Sequence, residues 1–297
     1  MLMHNNSPVT SVIQSKTIPS LFKYVPMSHK QTMGHGHSSP GPPPSNALSF
    51  NTTGAATNAT NIVFGQTTAI LMEVSVSGNA MCGITNDNFY CAPRVVDNSS
   101  TFQWVQHEGK FNHISLDSFN GTARVCGANN DQNVYCADNA MDPKWNQIPS
   151  PPNGIAQVSI SGNTVCGVDK DSNILCSFYG LSNWDQKNGS LSQISLSGQR
   201  ACGSTGAGQV LCTDSINYPT WKPENITLTQ VSLSNDKLCG TNANLELYCA
   251  DYGQGNWAKV GSGFKYISVD TSSNGTISML ALDKDNHVGN YTAPITK

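Results

Sequence analysis

A strand-opening phrase that recurs six times constrains this chain more than any other feature of its sequence. Each copy reads Val or Ile, then serine, then Val, Ile or Leu, and successive copies begin 36 to 44 residues apart. The central serines are Ser75, Ser115, Ser159, Ser195, Ser232 and Ser268. Alternation places the apolar residues on one face of a strand and the small serine on the other, where a neighbouring sheet can approach closely. A repeat of this period predicts an array of similar β-sheets.

Ten cysteines fall into five local pairs, one in each of the first five copies, and none is left over. The pairs are Cys82 with Cys91, Cys126 with Cys136, Cys166 with Cys176, Cys202 with Cys212, and Cys239 with Cys249. The first cysteine of each pair precedes a glycine, and a turn separates it from the second, which favours disulfides across hairpins in an oxidising compartment. Zinc binding is the alternative, but zinc ligands usually come as closer couples, and companion histidines are missing. The sixth copy has Leu280 and Asn290 at the two cysteine positions.

A tryptophan ends each of the first five copies, at Trp104, Trp145, Trp184, Trp221 and Trp257. The sixth copy has no tryptophan, but the position ten residues before the first opener is Phe64. We therefore expect residues 61–65 to complete the last sheet, with Phe64 in place of the missing tryptophan, so that no sheet edge stays free. An open solenoid is the alternative and would need atypical capping repeats. The sequence thus predicts an all-β fold, a six-bladed β-propeller closed by an N-terminal strand.

The opener, the Cys-Gly strand, the Asn- and Asp-rich turn and the final tryptophan together resemble the tectonin (fish-egg-lectin-like) repeat. The resemblance covers residues 61–297 and implies a six-bladed propeller, secretion, and binding of glycans or microbial surface sugars in loops between blades. This sequence departs from the family pattern, because cysteine replaces the aromatic residue before the glycine and a partner cysteine is added. No sugar-binding motif matches residue by residue, so the resemblance implies no particular lectin site.

Residues 1–60 differ in composition from the propeller domain at residues 61–297, and we interpret them as an extended, low-complexity arm. Residues 34–45 are mostly Gly, Ser, Pro and His, which favours an extended or polyproline-like chain. Residues 9–25 contain the β-branched and aromatic side chains that suit a strand added to another surface. Residues 1–6 show no basic region followed by an apolar one, so we recognise no signal peptide.

Charge and hydropathy argue against nucleic-acid binding and against a membrane span. The net charge of −3 provides no basic surface for nucleic acid. No apolar run approaches the ~18 residues that a membrane span needs. We therefore expect neither a nucleic-acid partner nor a membrane span.

Asn-x-Ser/Thr triplets agree with secretion, although a chain this rich in Asn, Ser and Thr contains some by chance. They lie at Asn5, Asn51, Asn58, Asn98, Asn120, Asn188, Asn225, Asn274 and Asn290. Five of them, Asn98, Asn120, Asn188, Asn225 and Asn274, fall in predicted loops of the repeat. We predict glycosylation at all of these positions except Asn5.

Several motifs that suggest catalysis or a cofactor have simpler interpretations. The glycine-rich stretch at residues 203–208 occupies the hairpin-turn position of its repeat, and no helix follows it. The acidic stretches at residues 169–173 and 283–287 lack the glycine and distal glutamate of a helical calcium loop and suit turns. His35 and His37, in the arm, are attributed to composition rather than to a metal site. We predict no catalytic residues, no metal and no cofactor, and hence no enzyme.

Two functional hypotheses remain. The first is an extracellular structural glycoprotein that self-assembles, as a filament or coat, when residues 1–60 bind a neighbouring copy. The second is a soluble tectonin-type lectin that binds glycans of cell surfaces or microbes, with Tyr179 and Tyr252 as exposed sugar-binding aromatics.

Overall fold

The computed structural model describes residues 63–64, 67–68, 70–94, 102–271 and 276–294 of the 297 residues. Twenty-five strands and no helix are found in these ranges. β1 (Val63–Phe64) and β2 (Thr67–Thr68) pair with each other as a two-stranded sheet. The other twenty-three strands form six antiparallel sheets, one for each copy of the repeat, and we call these sheets blades one to six.

In each blade the strands follow one another in space as they do in the chain. Blade one contains β3 (Glu73–Ser77), β4 (Ala80–Ile84), β5 (Phe89–Pro93) and β6 (Val105–His107). Blade two contains β7 (His113–Phe119), β8 (Thr122–Ala128), β9 (Val134–Ala137) and β10 (Asn146–Ile148). Blade three contains β11 (Gln157–Ser161), β12 (Thr164–Val168), β13 (Asn173–Phe178) and β14 (Asp185–Ser190).

Blades four and five repeat this arrangement, and blade six has three strands within the described residues. Blade four contains β15 (Gln193–Ser197), β16 (Arg200–Ser204), β17 (Gln209–Thr213) and β18 (Lys222–Thr227). Blade five contains β19 (Gln230–Ser234), β20 (Lys237–Thr241), β21 (Glu246–Asp251) and β22 (Ala258–Ser262). Blade six contains β23 (Phe264–Thr271), β24 (Thr276–Asp283) and β25 (Val288–Pro294).

The repeated serines join the first strands of the blades into a closed ring. Each serine Oγ accepts a hydrogen bond from a backbone N–H of the next blade, for example Ser75 from Leu116 at 2.9 Å and Ser195 from Leu233 at 2.9 Å. The sixth bond, from Val76 N–H to Ser268 Oγ at 3.1 Å, links blade one to blade six. Serine therefore has two functions here, since its small size allows close approach and its hydroxyl satisfies a backbone donor that the neighbouring sheet buries. The six-bladed β-propeller predicted from the sequence is confirmed.

The five predicted disulfides form between directly opposite residues of the second and third strands of blades one to five. In chain order they join Cys82 to Cys91, Cys126 to Cys136, Cys166 to Cys176, Cys202 to Cys212, and Cys239 to Cys249. Their Cα–Cα distances are 4.0 to 4.1 Å. The pairing predicted from the sequence is therefore the pairing in the structure, and the zinc alternative is wrong.

Each disulfide packs in an apolar cluster with the first strand of the next blade. Cys166 and Cys176, for example, pack with Ile194 and Leu196 of blade four. In blade six Leu280 takes the place of the first cysteine and packs against blade one. The cross-strand links thus lie in the interfaces between blades, where apolar side chains cover them.

The glycine after the first cysteine is required by close packing. A Cβ at Gly203 would lie 2.2 Å from the carbonyl oxygen of Gln193 and 2.6 Å from Leu191 Cδ1. The equivalent glycines, Gly83, Gly127, Gly167 and Gly240, are similarly crowded. In the recurring Cys-Gly pair, the cysteine thus supplies the covalent link between strands, and the glycine leaves room for an apolar side chain to pack on the backbone.

The predicted strand at residues 61–65 lies largely outside the described residues, so its exchange into blade six stays a prediction. Phe64 pairs with Thr67 in the small sheet formed by β1 and β2, and the side chain of Phe64 lies outside the described residues. Blade six packs directly on blade one, where Leu280 shares an apolar cluster with Val74. Arg94 of blade one adds an ion pair with Asp270. Within the described residues, side-chain packing, this ion pair and the serine ring join blade six to blade one.

Three of the tryptophans form hydrogen bonds between the outer edges of neighbouring blades. The indole N–H of Trp145 donates to the Glu108 carbonyl at 2.7 Å, that of Trp184 to the Pro149 carbonyl at 2.7 Å, and that of Trp221 to the Asn188 carbonyl at 2.6 Å. Each acceptor lies four residues after the tryptophan of the preceding copy. The fixed spacing in the sequence therefore reflects a repeated contact between blades.

Candidate functional site

A groove on the outer side of the ring, between blades three and four, combines an exposed aromatic ring with polar side chains. It encloses about 380 Å³. The lining residues are Gln186, Lys187 and Asn188 of β14, and Asn217, Tyr218, Pro219 and Thr220 of the loop before β18. Tyr218 is 87% exposed, the highest value among the large apolar and aromatic residues that the structure describes as exposed.

Local backbone features hold the two walls of this groove in place. The pairing of β13 with β14 shifts register, so that Ile174 pairs with Lys187 and Asn173 with Ser190, and two residues of β14 bulge outward. One of them, Gly189, has a φ of 111°, which a residue with a side chain rarely adopts. The other is Asn188, whose carbonyl accepts the Trp221 indole N–H. The bulge therefore presents Asn188 to solvent beside the loop that carries Tyr218.

Two amide side chains of the groove are fixed by hydrogen bonds. Asn217 donates from Nδ2 to Gln199 Oε1 at 3.0 Å, and Gln186 donates from Nε2 to Asn173 Oδ1 at 3.2 Å. Lys187 is the charged residue among the seven that line the groove. An aromatic face, oriented amides and one ammonium suit a ligand with both apolar C–H faces and hydroxyl groups.

The lining of this groove is not repeated around the ring. Three residues before the tryptophan, where copy four has Tyr218, copies two, three and five have Asp142, Leu181 and Gln254. The repeat pattern does not identify Tyr218 as a candidate site residue, because the pattern contains only the features that the copies share. The position was recognisable only as a deviation from the pattern.

The prediction that Tyr179 and Tyr252 are exposed sugar-binding aromatics is not supported by their positions. Both rings are half-buried. Tyr179 donates to Asp138 of the preceding blade at 2.8 Å, and Tyr252 donates to Asp214 at 3.1 Å. The Arg124 guanidinium lies 4.5 Å from the ring of Tyr179, and burial together with the Asp138 carboxylate raises the pKa of this tyrosine. These tyrosines link adjacent blades.

A second site lies on the axis of the ring, where six side chains precede the six openers. They are Glu73, His113, Gln157, Gln193, Gln230 and Tyr266. All of them except Glu73 line a cavity of about 40 Å³ together with the serine ring. Gln157 accepts from Ile194 N–H at 3.0 Å and donates to the Ile194 carbonyl at 2.9 Å. Gln193 and Gln230 repeat this bridge to the next blade.

The other three axial residues form a buried titratable cluster. His113 Nε2 lies 3.5 Å from Glu73 Oε1 and 3.4 Å from the Tyr266 hydroxyl. Burial raises the pKa of Glu73 to about 8, against the hydrogen bond from Ile114 N–H, which lowers it. Burial lowers the pKa of His113 to about 3 and raises the pKa of Tyr266 well above its ordinary value. The cluster is therefore uncharged in mildly acidic solution, and its small cavity has room for little more than water.

The other sequence motifs lie where their simpler interpretations predict. The glycine-rich stretch forms a turn between β16 and β17. Asp169 and Asp283 accept backbone N–H groups of their own turns, and Asp283 also contacts His287 at 2.9 Å. Asp283, Asp285 and His287 lie close enough together to hold an ion, but the turn geometry accounts for this cluster. His35 and His37 lie outside the described residues.

Three of the predicted glycosylation sites have described side chains, and all three are exposed: Asn120, Asn188 and Asn225. The side chains of Asn51, Asn58, Asn98, Asn274 and Asn290 lie outside the described residues. Among the residues that the structure describes, none belongs to a helix that could span a membrane.

Comparison with known proteins identifies the repeat. The sequence model of the Tectonin domain matches residues 117–293. A search of the curated proteins finds no match. Among solved structures, U3-55K is 10% identical with a TM-score of 0.52, covering 76% of this chain and 80% of its own. YCF48 bound to D1 peptide is 13% identical with a TM-score of 0.47 and shares of 77% and 84%. Human WBSCR16 is 8% identical with a TM-score of 0.47 and shares of 75% and 82%.

These structural likenesses concern the fold alone, and of the three only U3-55K has a TM-score above 0.5. The Tectonin match is independent of them and covers most of blades two to six. Because it spans more than half of the 297 residues, this chain belongs to the Tectonin domain family.

Proposed function

We propose that this protein is an extracellular, non-enzymatic propeller that binds glycans in the groove between blades three and four. The observation that carries the proposal is Tyr218, whose ring is 87% exposed in a groove of about 380 Å³ lined by polar side chains. Five disulfides support an oxidising compartment. Membership of a family whose domains can bind glycans agrees with the proposal.

The groove suits a sugar better than an apolar ligand. Tyr218 supplies a flat face on which the C–H groups of a pyranose ring can stack, while the amides of Asn217 and Gln186 are already oriented by hydrogen bonds. Because these side chains are ordered before binding, little conformational entropy is lost when the ligand is bound. Lys187 and the absence of carboxylates among the lining residues favour neutral or anionic glycans over cationic ones.

A glycan array tests this proposal, with binding strength then measured by calorimetry. We expect Tyr218→Ala to weaken binding at least about tenfold, since loss of an aromatic contact corresponds to ~1–2 kcal/mol. Leu181→Ala is the matched control, because Leu181 is 52% exposed at the equivalent position of blade three. No binding by protein without attached glycans on a broad array that includes methylated sugars, or equal binding by the Tyr218→Ala protein, would contradict the proposal.

Self-assembly through residues 1–60 remains a second proposal, supported by the composition of this segment. Residues 9–25 have the β-branched and aromatic content of a strand that adds to another surface. Electron microscopy of the full chain should show filaments or ordered assemblies that disappear when residues 1–60 are deleted. Monodisperse single propellers from both proteins would refute this role.

A further inference from the structure

We infer that the groove between blades three and four also holds the protein's own glycan, attached to Asn188 and stacked on Tyr218. The attached glycan closes the groove to glycans of other molecules. The closure rests on the proposed function, whereas the seating of the attached glycan does not.

Asn188 combines an acceptor sequence with a place inside the groove. Its triplet is Asn188-Gly189-Ser190, and its side chain is both exposed and part of the groove lining. In the transfer reaction the Asn188 amide nitrogen bonds to C1 of the first N-acetylglucosamine of a lipid-pyrophosphate-linked oligosaccharide. The lipid pyrophosphate leaves, and the amide loses one proton. The new glycan therefore begins within the groove.

The geometry of the bulge restricts where that glycan can go. The Asn188 carbonyl is held by the Trp221 indole N–H at 2.6 Å, so the backbone at the attachment point is fixed. Tyr218 lies three residues before Trp221, on the loop that forms the opposite wall. A linked sugar has a high effective concentration next to this wall, so even weak stacking on Tyr218 favours the seated position.

Asn225 provides an internal comparison. It lies four residues after Trp221, as Asn188 lies four residues after Trp184, and it is exposed in the triplet Asn225-Ile226-Thr227. The residue that corresponds to Tyr218 on the next blade is Gln254. A glycan on Asn225 thus begins at the same place in the repeat, where glutamine takes the position of Tyr218.

The first experiment measures glycan seating on the full chain secreted from a host that performs N-glycosylation. Glycopeptide mass spectrometry gives the occupancy of each site, and a time course with a glycan-releasing amidase on the native protein gives the release rates. We expect release from Asn188 to be at least several-fold slower than from Asn225, and Tyr218→Ala to remove the difference. An unmodified Asn188, equal release rates, or slow release that Tyr218→Ala does not change would each overturn the seating.

The second experiment measures closure of the groove on the glycan array. Ser190→Ala removes the acceptor sequence but keeps Asn188, and Thr227→Ala does the same for Asn225. We expect several-fold stronger glycan binding for Ser190→Ala than for the wild type, with no change for Thr227→Ala. Equal binding by Ser190→Ala and the wild type would overturn the closure. If neither protein binds any glycan while Asn188 is still protected, the proposed function fails and the seating stands.

Discussion

Replacing Glu73 by glutamine should make the propeller more stable above about pH 5, by an amount that grows up to about pH 8, and should change its stability little near pH 4. Glu73 is the one carboxyl group among the six residues that precede the openers, and it lies beside His113 and Tyr266. At the equivalent position of blade three, Gln157 bridges to the next blade by accepting one hydrogen bond and donating another. A glutamine at position 73 is therefore nearly isosteric, and it can still accept the hydrogen bond from Ile114 N–H, which Glu73 accepts at 2.7 Å.

The magnitude follows from the pKa of the carboxyl group. Burial raises the pKa of Glu73 from 4.5 to about 8, so between these values the folded protein keeps a proton that the unfolded chain has lost. Because the folded state binds more protons, the free energy of unfolding falls as the pH rises, by about 2 kcal/mol at pH 6 and about 4 kcal/mol at pH 8. A typical domain has a net stability of about 5–15 kcal/mol, so the effect is large.

His113 produces the opposite limb of the curve. Burial lowers its pKa from 6.5 to about 3, so the unfolded chain binds a proton before the folded protein does as the pH falls. Stability is then lost from pH 6.5 downward. The wild type should be most stable between pH 4.5 and pH 6.5, where both buried groups are largely uncharged in the folded protein. The Glu73→Gln protein should keep the acid limb and lose the alkaline one.

Urea unfolding followed by tryptophan fluorescence, at a series of pH values from about 4 to 9, measures these curves. All ten cysteines are paired, so no free thiol is present to reshuffle the disulfides at alkaline pH. Asp87→Asn, at a carboxylate whose side chain is 71% exposed, controls for the change in net charge. If the curves of the wild type and the Glu73→Gln protein stay parallel up to pH 8, the account of a buried neutral carboxyl group is refuted.

Three further predictions concern contacts between and within blades. Ser195→Ala leaves the buried Leu233 N–H without its acceptor and should lower the free energy of unfolding by about 1–3 kcal/mol, measured by urea unfolding; no change would show that water replaces the hydroxyl. Trp221→Phe removes the 2.6 Å hydrogen bond to blade three and should lower the free energy of unfolding by at least about 1 kcal/mol. Amide hydrogen exchange should become faster only at the edges of blades three and four, because the contact is local. Replacing both Cys202 and Cys212 by alanine opens a ten-residue loop and should cost about 2.5–3 kcal/mol in thermal or urea unfolding, whereas an unchanged midpoint would contradict a stabilising role.

Much of the fold was predictable from the sequence because similar local contacts recur from blade to blade. The recurring Val/Ile-Ser phrase, the cysteine pairs and the tryptophan spacing each depend on contacts between residues of one blade or of adjacent blades, and such contacts repeat with the sequence. The strand suggested at Phe64 stays a prediction. In the described residues the ring closes through Ser268 and Leu280, which belong to the repeat itself.

The candidate sites were harder to predict because they depend on departures from the repeat. Tyr179 and Tyr252 were chosen as loop aromatics, yet aspartates of the preceding blade hold both rings. Tyr218 has no such partner contact in the described structure, and it is exposed beside a strand that precedes it by about thirty residues. Sequence position alone does not distinguish an aromatic ring that packs between blades from one that faces solvent.

The sequence by itself determined the number of blades, the strand alternation and the pairing of all ten cysteines, because these follow from period, spacing and local hairpin geometry. Only the tertiary structure decided that Glu73, His113 and Tyr266 meet, and that Asn188 and Tyr218 line one groove. The physical reason is that both groupings bring together residues of different blades. The surroundings of these residues depend on the angle between neighbouring blades and on which side chains the neighbouring blade covers.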